Sequence, residues 1–211
     1  GSTIYDKSGN GNNGAATNVT WQNGISGKAG EFNGSNSYVQ ITDATAIQNI
    51  FASGGSISVW VYVASDGGLN VGRILDKDLA GNDGWLLFVR DELAGAVRLE
   101  FNKRFSTTAG TWQTVDRVFT LNQLYHVVIT YNSSSVSNDP TIYIDGVSVS
   151  ITETSTPVGT ASSDVGNDLF IGNRSGADAT FEGRIDEPIL AKGTVFTANQ
   201  VKALYKNPGG M

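Results

Sequence analysis

Two carboxylates near opposite ends of the 211-residue chain have surroundings that call for a counter-charge. Asp186 and Glu187 interrupt the apolar run Phe181 to Leu190, FEGRIDEPIL, which reads as a buried strand near the carboxyl end. An ionised acid in such a strand needs a metal, an arginine or backbone amides, because an unpaired buried charge is prohibitively costly. Asp6 lies near the amino end in YDKSGNGNNG, a Gly/Asn-rich turn with many free carbonyls. Acids at remote positions beside carbonyl-rich turns, in a chain with no His/Cys cluster, fit a hard cation held where the two ends meet. The competing reading is local: Asp6 bonds amides of its own turn, and Asp186 pairs with Arg184 or a buried amide. A second acid-dense loop, Asp76-Lys77-Asp78 with Asn82 and Asp83, lacks EF-hand spacing, and Lys77 competes for its carboxylates, so it reads as a solvated loop.

Catalytic sets are harder to assemble. Asp186-Glu187 and Asp91-Glu92 are adjacent pairs, so in a strand their side chains point to opposite faces, whereas a retaining glycosidase needs carboxyls ~5 Å apart on one face. Glu100 has no evident partner in its strand. A Ser-His-Asp triad would need His126, the single histidine, but no G-x-S-x-G elbow occurs. His126 reads as structural and the chain as non-catalytic. A sugar site, by contrast, asks for an exposed aromatic ring to stack on a pyranose and fixed polar groups for its hydroxyls. Of the four tryptophans, Trp60 in mid-strand and Trp21 before a turn read as core. Trp85, after Asp83-Gly84, stays open to either reading, and Trp112, flanked by polar residues in TTAGTWQT, is the best exposed platform. Arg73, Asn102 and Arg174 are the polar partners that alternation assigns to the concave face or its rim.

These side chains must be positioned by strands. Twenty-six glycines, few charges and many Ser, Thr and Asn between short alternating runs are the signature of strands joined by tight turns. SISVWVYV, Ser56 to Val63, sets Ile57, Val59, Val61 and Val63 against Ser56, Ser58, Trp60 and Tyr62. YHVVITY, Tyr125 to Tyr131, repeats the period, and Asp145-Gly146 inside TIYIDGVSVSI has the composition of a two-residue hairpin turn. Gly30 to Ile41 gives two short strands about Asn33-Gly34-Ser35-Asn36, and Asp43 to Phe51 gives one or two helical turns capped by Asp43. Arg73 to Asp76, Trp85 to Arg90, Ala96 to Phe105 and Trp112 to Thr120 read as further strands. One helix starts at Thr197, where Thr197-Ala198-Asn199-Gln200 has capping-box spacing and Val201, Leu204 and Tyr205 share a face, to pack on the sandwich edge.

The net charge of −6 argues against phosphate-driven nucleic-acid binding and gives an anionic bilayer no reason to attract the chain. The longest apolar stretch is too short for membrane insertion. Zero cysteines exclude a disulfide scaffold, a thiolate nucleophile and a soft-metal site. The length suits a single domain over 1–211, with Gly1-Ser2 reading as a cloning remnant and 207–211 as a linker to other modules of a longer protein. Three N-x-S/T sequons, at Asn18, Asn132 and Asn173, matter only in a eukaryotic secretory host.

Eight motifs in order, DKSGNGNNG, GKAGEFNGSNSYV, SISVWVYV, GNDGWLLFV, YHVVITYN, TIYIDG, LFIGN and GRIDEPIL followed by FTANQVKALY, resemble the laminin G-like jelly rolls of the concanavalin A-like lectin and glucanase superfamily. The resemblance covers nearly the whole chain. It implies an all-β fold: a two-sheet antiparallel jelly-roll sandwich with one short C-terminal helix. It also implies a structural calcium where the first and last strands meet, with Asp6 and Asp186 as side-chain ligands and backbone carbonyls of the Asn33-Gly34 turn completing an oxygen shell. The glucanase branch uses an E-x-D-x-x-E type run, which this chain lacks. The implied function is a non-catalytic carbohydrate-binding module of an extracellular or virion protein, with a polysaccharide or glycoconjugate partner. The alternative is a structural or adhesion domain of a phage virion or bacterial surface protein, bound to protein partners. Fold alone does not choose between them.

Overall fold

The computed structural model describes residues 2–79 and 81–209. Gly1, Gly210 and Met211, parts of the expected leading remnant and linker, lie outside the described residues.

Two antiparallel sheets form the expected jelly-roll sandwich. Across the ten-stranded sheet the main path runs Thr3–Ile4, Gly14–Thr17, Tyr38–Ile41, Leu169–Ile171, Arg73–Asp76, Trp85–Leu93, Ala96–Lys103, Gly110–Thr114 and Ile151–Ser155, and Phe119–Thr120 pairs beside Ala96–Lys103. The seven-stranded sheet runs Val147–Ser148, Thr141–Ile144, Gln123–Tyr131, Gly55–Val63, Glu182–Lys192, Lys28–Asn33 and Thr20–Asn23. The two strands flanking Asn33-Gly34 therefore belong to different sheets, and this turn carries the chain across the sandwich.

Alternation decides which residues fill the space between the sheets. Ile57, Val59, Val61 and Val63 face Leu75, Trp85, Leu87, Leu99, Phe101 and Trp112 in one core. Asp145 and Gly146 have φ of 52° and 81°, the two positive values that a two-residue hairpin of this hand requires. Glu182–Lys192 is the strand expected from FEGRIDEPIL, an interior strand paired on both sides and bulged between Asp186 and Ile189, with Glu187 at φ 44°.

The helix spans Ala198–Lys206, and Thr197 caps it with the full reciprocal capping box. It lies on the outer face of the seven-stranded sheet rather than at its edge. Val201 and Leu204 join Val128 and Phe196 in a second apolar cluster, while Tyr205 stacks on Trp60 at 5.7 Å. Asp43 does not cap a helix: Thr45–Ile47 is a single 3₁₀ turn without side-chain capping. The Asp43 carboxylate instead accepts from Lys77 Nζ at 2.6 Å, from Gln48 and from the Gly166 amide.

In the loop after Asp76, Leu79, Gly81 and Asn82 are exposed, as a solvated loop requires, but Lys77 is not. Lys77 is fully buried, its ammonium donating to Asp43 Oδ1 and to the carbonyls of Asn167 (2.5 Å) and Asp164 (3.2 Å). A buried cation is tolerable when several oxygens replace its water, and here it ties three remote segments together.

Candidate functional site

A cavity of about 350 Å³ opens on the outer face of the ten-stranded sheet, lined by Arg73, Asp76, Asp78, Gly81, Arg104, Arg174, Ser175 and Gly176. Its floor is made by a register shift. In a regular strand Arg73 and Leu75 would share one face, and Ile74 and Asp76 the other. Between Arg73 and Leu75 the pairing with Trp85–Leu93 slips by one residue, so Ile74 and Leu75 both enter the core while Arg73 and Asp76 both turn outward.

Their cross-strand neighbours set their environment. Arg73 is opposite Phe88, and its guanidinium carbon lies 4.3 Å from that ring's centre, a cation–π contact. Asp76 is flanked by Phe170 on one strand and Leu86 on the other. Burial among these apolar groups pushes its carboxyl up to about 7, against the opposing pull of the Asp78 amide and of Arg73. Burial also pulls the Arg73 guanidinium below its ordinary value, with Asp76 opposing.

The rim is held by ion pairs. Arg104 donates through Nε (3.2 Å) and Nη2 (2.7 Å) to one oxygen of Asp78. Arg174 grips both oxygens of Asp178 at 2.5 and 2.7 Å, and this bond raises its pKa. The loop that carries Arg174 is shaped by the fully buried Asn173, whose side chain donates to Thr180 and Ser37 and accepts from the amides of Arg174 and Ala179. Gly172 before it has φ 77°, and a Cβ there would collide with the Phe32 ring. The sequon at Asn173 therefore offers no accessible acceptor for a glycan.

The expected residues divide. Arg73 and Arg174 meet on this cavity. Asn102 lies on the same outer face two strands from Asp76, but its amide is already engaged, donating to Glu100 and accepting from Thr111. Glu100 in turn holds Arg90 at 2.7 Å, so it does have a partner. Trp112 and Trp85 are both 0 % exposed, inside the core, and neither can serve as a stacking platform. In Gly110–Thr114 the polar residues around Trp112 occupy the outer side of an amphipathic strand, and Trp112 Nε1 donates to Asp139 at 2.7 Å. Trp21, expected in the core, is 37 % exposed on the edge strand Thr20–Asn23. Asp76, Asp78 and Arg104 belong to the cavity and were missed, because only the bulge puts Asp76 on the face of Arg73.

The residues expected to hold calcium are each engaged with hydrogen-bond donors of their own surroundings. Asp6 accepts from the Ser8 and Asn12 amides and the Ser8 hydroxyl, and these bonds, Ser8 foremost, lower its pKa. Asp186 accepts from the amides of Ile25 (2.7 Å), Ser26 and Glu187, beside a cavity of about 100 Å³. The Asn33 side chain closes its own turn by accepting from Ser35, Asn36 and Ser37. Asn33 pairs with Glu182, four residues and therefore ~13 Å along the strand from Asp186, too far for one shell. The two ends do adjoin, since Lys7 reaches Glu187 at 3.7 Å. Among the described residues no group of three or more His, Cys, Asp or Glu side chains is placed to hold a metal.

His126 is buried and bonds Ser58 Oγ through Nε2 at 2.8 Å, under the Trp60–Tyr205 stack. Burial pushes it down to about 4.

Residues 33–202 match the family model described as the concanavalin A-like lectin/glucanases superfamily, and the chain belongs to that superfamily. Among solved structures it is similar to the binding domain of Paraclostridial Mosquitocidal Protein 1, with a TM-score of 0.69 and 22% identity over 96% of this chain and 49% of that one. The binding domain of botulinum neurotoxin serotype G gives 0.68 and 17% over 96% and 48%. A native heptameric SAP-like pentraxin from Limulus polyphemus gives 0.60 and 14% over 83% and 80%. At these identities the likeness is one of fold, and the chain spans about half the length of the two toxin domains. No curated protein matches it.

Proposed function

We propose that this is a non-catalytic, lectin-like carbohydrate-binding domain that takes its sugar in the cavity around Arg73. The supporting observation is the state of Arg73: it is 9 % exposed, lines the cavity, and its Nε and Nη1 find no hydrogen-bond partner among the described residues. Asp78 Oδ1 is unmatched in the same way. These atoms are sealed from solvent, and buried donors and acceptors left unmatched are costly, so a side-chain shift that brought them to ligand hydroxyls, which both give and accept hydrogen bonds, would recover that cost. The cavity is of a size that holds a small ligand.

The superfamily's name joins lectins with glucanases, and we take the binding half of that pair because, among the described residues, the cavity offers no pair of uncommitted carboxyls. Asp78 is bound through Oδ2 by Arg104, and Glu100 by Arg90 and Asn102, so Asp76 lacks the second free carboxyl that a glycosidase uses. The setting we infer is extracellular or on a virion, where a protein meets polysaccharides and glycoconjugates.

A glycan array followed by titration calorimetry tests this. Arg174→Ala, at a half-exposed rim position, is expected to weaken the selected glycan about tenfold, equivalent to ~1.4 kcal/mol, while leaving the fold intact. A blank array across diverse polysaccharides would sink the reading.

A further inference from the structure

The cavity's three guanidinium groups are unequally satisfied. Arg104 spends its fork on Asp78 and Arg174 spends its own on Asp178, whereas Arg73 has only Asp76 Oδ2, 3.2 Å from Nε and outside hydrogen-bonding alignment. Among the described residues Arg73 is therefore the one cavity guanidinium whose charge is not spent in a bidentate ion pair, and such a group suits a carboxylate better than a lone hydroxyl.

The charge count narrows the ligand further. Arg73, Arg104 and Arg174 stand against Asp76, Asp78 and Asp178, three positive against three negative. Near neutrality Asp76 is divided between its charged and neutral forms, with Arg73, Asp78, Arg104 and Arg174 the charged groups around it and Glu100 turned to Arg90. The cavity therefore carries a fractional positive surplus. That surplus suits a monoanion and falls short of what a doubly charged phosphate would require.

Resting on the glycan reading of this cavity, we propose that its ligand is a carboxylated sugar of the uronic acid class, its carboxylate held by Arg73 and Arg174 and its ring hydroxyls facing Asp78 and Ser175. Arg73 supplies the uncommitted charge at the floor. Arg174 is the recruiting charge at the mouth, because its side chain is 38% exposed.

The experiment follows the arginine Nε–H signals of the ¹⁵N-labelled protein during titration with glucuronate, galacturonate, their methyl esters and acetate. At least one uronate should shift the Arg73 and Arg174 signals saturably, with its methyl ester at least about tenfold weaker. Arg174→Ala should weaken the uronate about tenfold with an unchanged melting temperature. Equal binding of acid and ester would overturn the carboxylate assignment and leave the glycan reading standing. Acetate binding as tightly as the uronate would show that the ring contributes nothing and would overturn both. Signals that stay still in every titration would overturn the assignment, and the array then decides the glycan reading alone.

Discussion

The outer faces of the two sheets treat buried polar groups in opposite ways. On the seven-stranded sheet, Asp186 takes three backbone amides, Ser58 bonds His126, and the helix Ala198–Lys206 covers the aromatic stack of Trp60, His126 and Tyr205. His126 Nδ1 lacks a partner there, but burial keeps the ring neutral, so the unmatched atom bears no charge. On the ten-stranded sheet no helix covers the cavity among the described residues, and the unmatched atoms belong to a guanidinium and a carboxylate. A fold that satisfies its buried polar groups on one face and leaves charged ones open on the other distinguishes a surface used for self-packing from one suited to a ligand.

The comparison predicts its largest effects away from the cavity. Trp112→Ala in the core and Trp60→Ala beneath the helix should each cost ~3–5 kcal/mol of unfolding free energy, since both remove a large buried ring. Chemical denaturation measures this. If Trp60→Ala proved neutral for stability and lost glycan binding instead, the roles assigned to the two faces would be reversed.

A smaller effect comes from Asp76. Its folded-state value of about 7 lies above the ordinary 3.8, so the folded protein holds this proton more tightly than the unfolded chain does. Its contribution to stability is full below about pH 4, is lost as the pH rises to about 7, and is flat above that. The slope is at most ~1.4 kcal/mol per pH unit. Asp76→Asn should remove that slope from a series of unfolding curves between pH 4.5 and 8. Parallel curves for the two proteins would show that the cavity floor does not hold the carboxyl in its neutral form.

The smallest expected effect concerns metal. Because Asp6 and Asp186 are already satisfied by amides in separate turns, millimolar calcium or EDTA should leave the melting temperature unchanged. A calcium-dependent rise would mean that these carboxylates exchange amides for a cation bound only by the folded state.

How much of this was legible in the sequence follows from the range of the signal. Period-two alternation in SISVWVYV and YHVVITY, the Asp145-Gly146 turn and the Thr197 cap are local, and each is seen in the fold as read. Arg73 and Arg174, assigned by alternation to the concave face or its rim, were legible as polar side chains, and both line the cavity. Asp76 was not, because one extra residue in the strand reverses which side chains share a face, and no local pattern marks it. Trp112 misled for a related reason: in an amphipathic strand polar sequence neighbours point away from the ring, so local polarity does not report exposure. Lys77 lies in an acid-rich stretch that looks solvated, and its burial depends on Asp43, Asp164 and Asn167, all more than thirty residues away.

The two faces are separated most directly by hydrogen exchange of the backbone amides, with and without the glycan that the array selects. Slowed exchange at residues 73–78 and 172–179, with no change across 198–206, is the result expected of a ligand seated in the Arg73 cavity. Slowed exchange over the helix and its underlying strands, with the cavity segments unaffected, would contradict it.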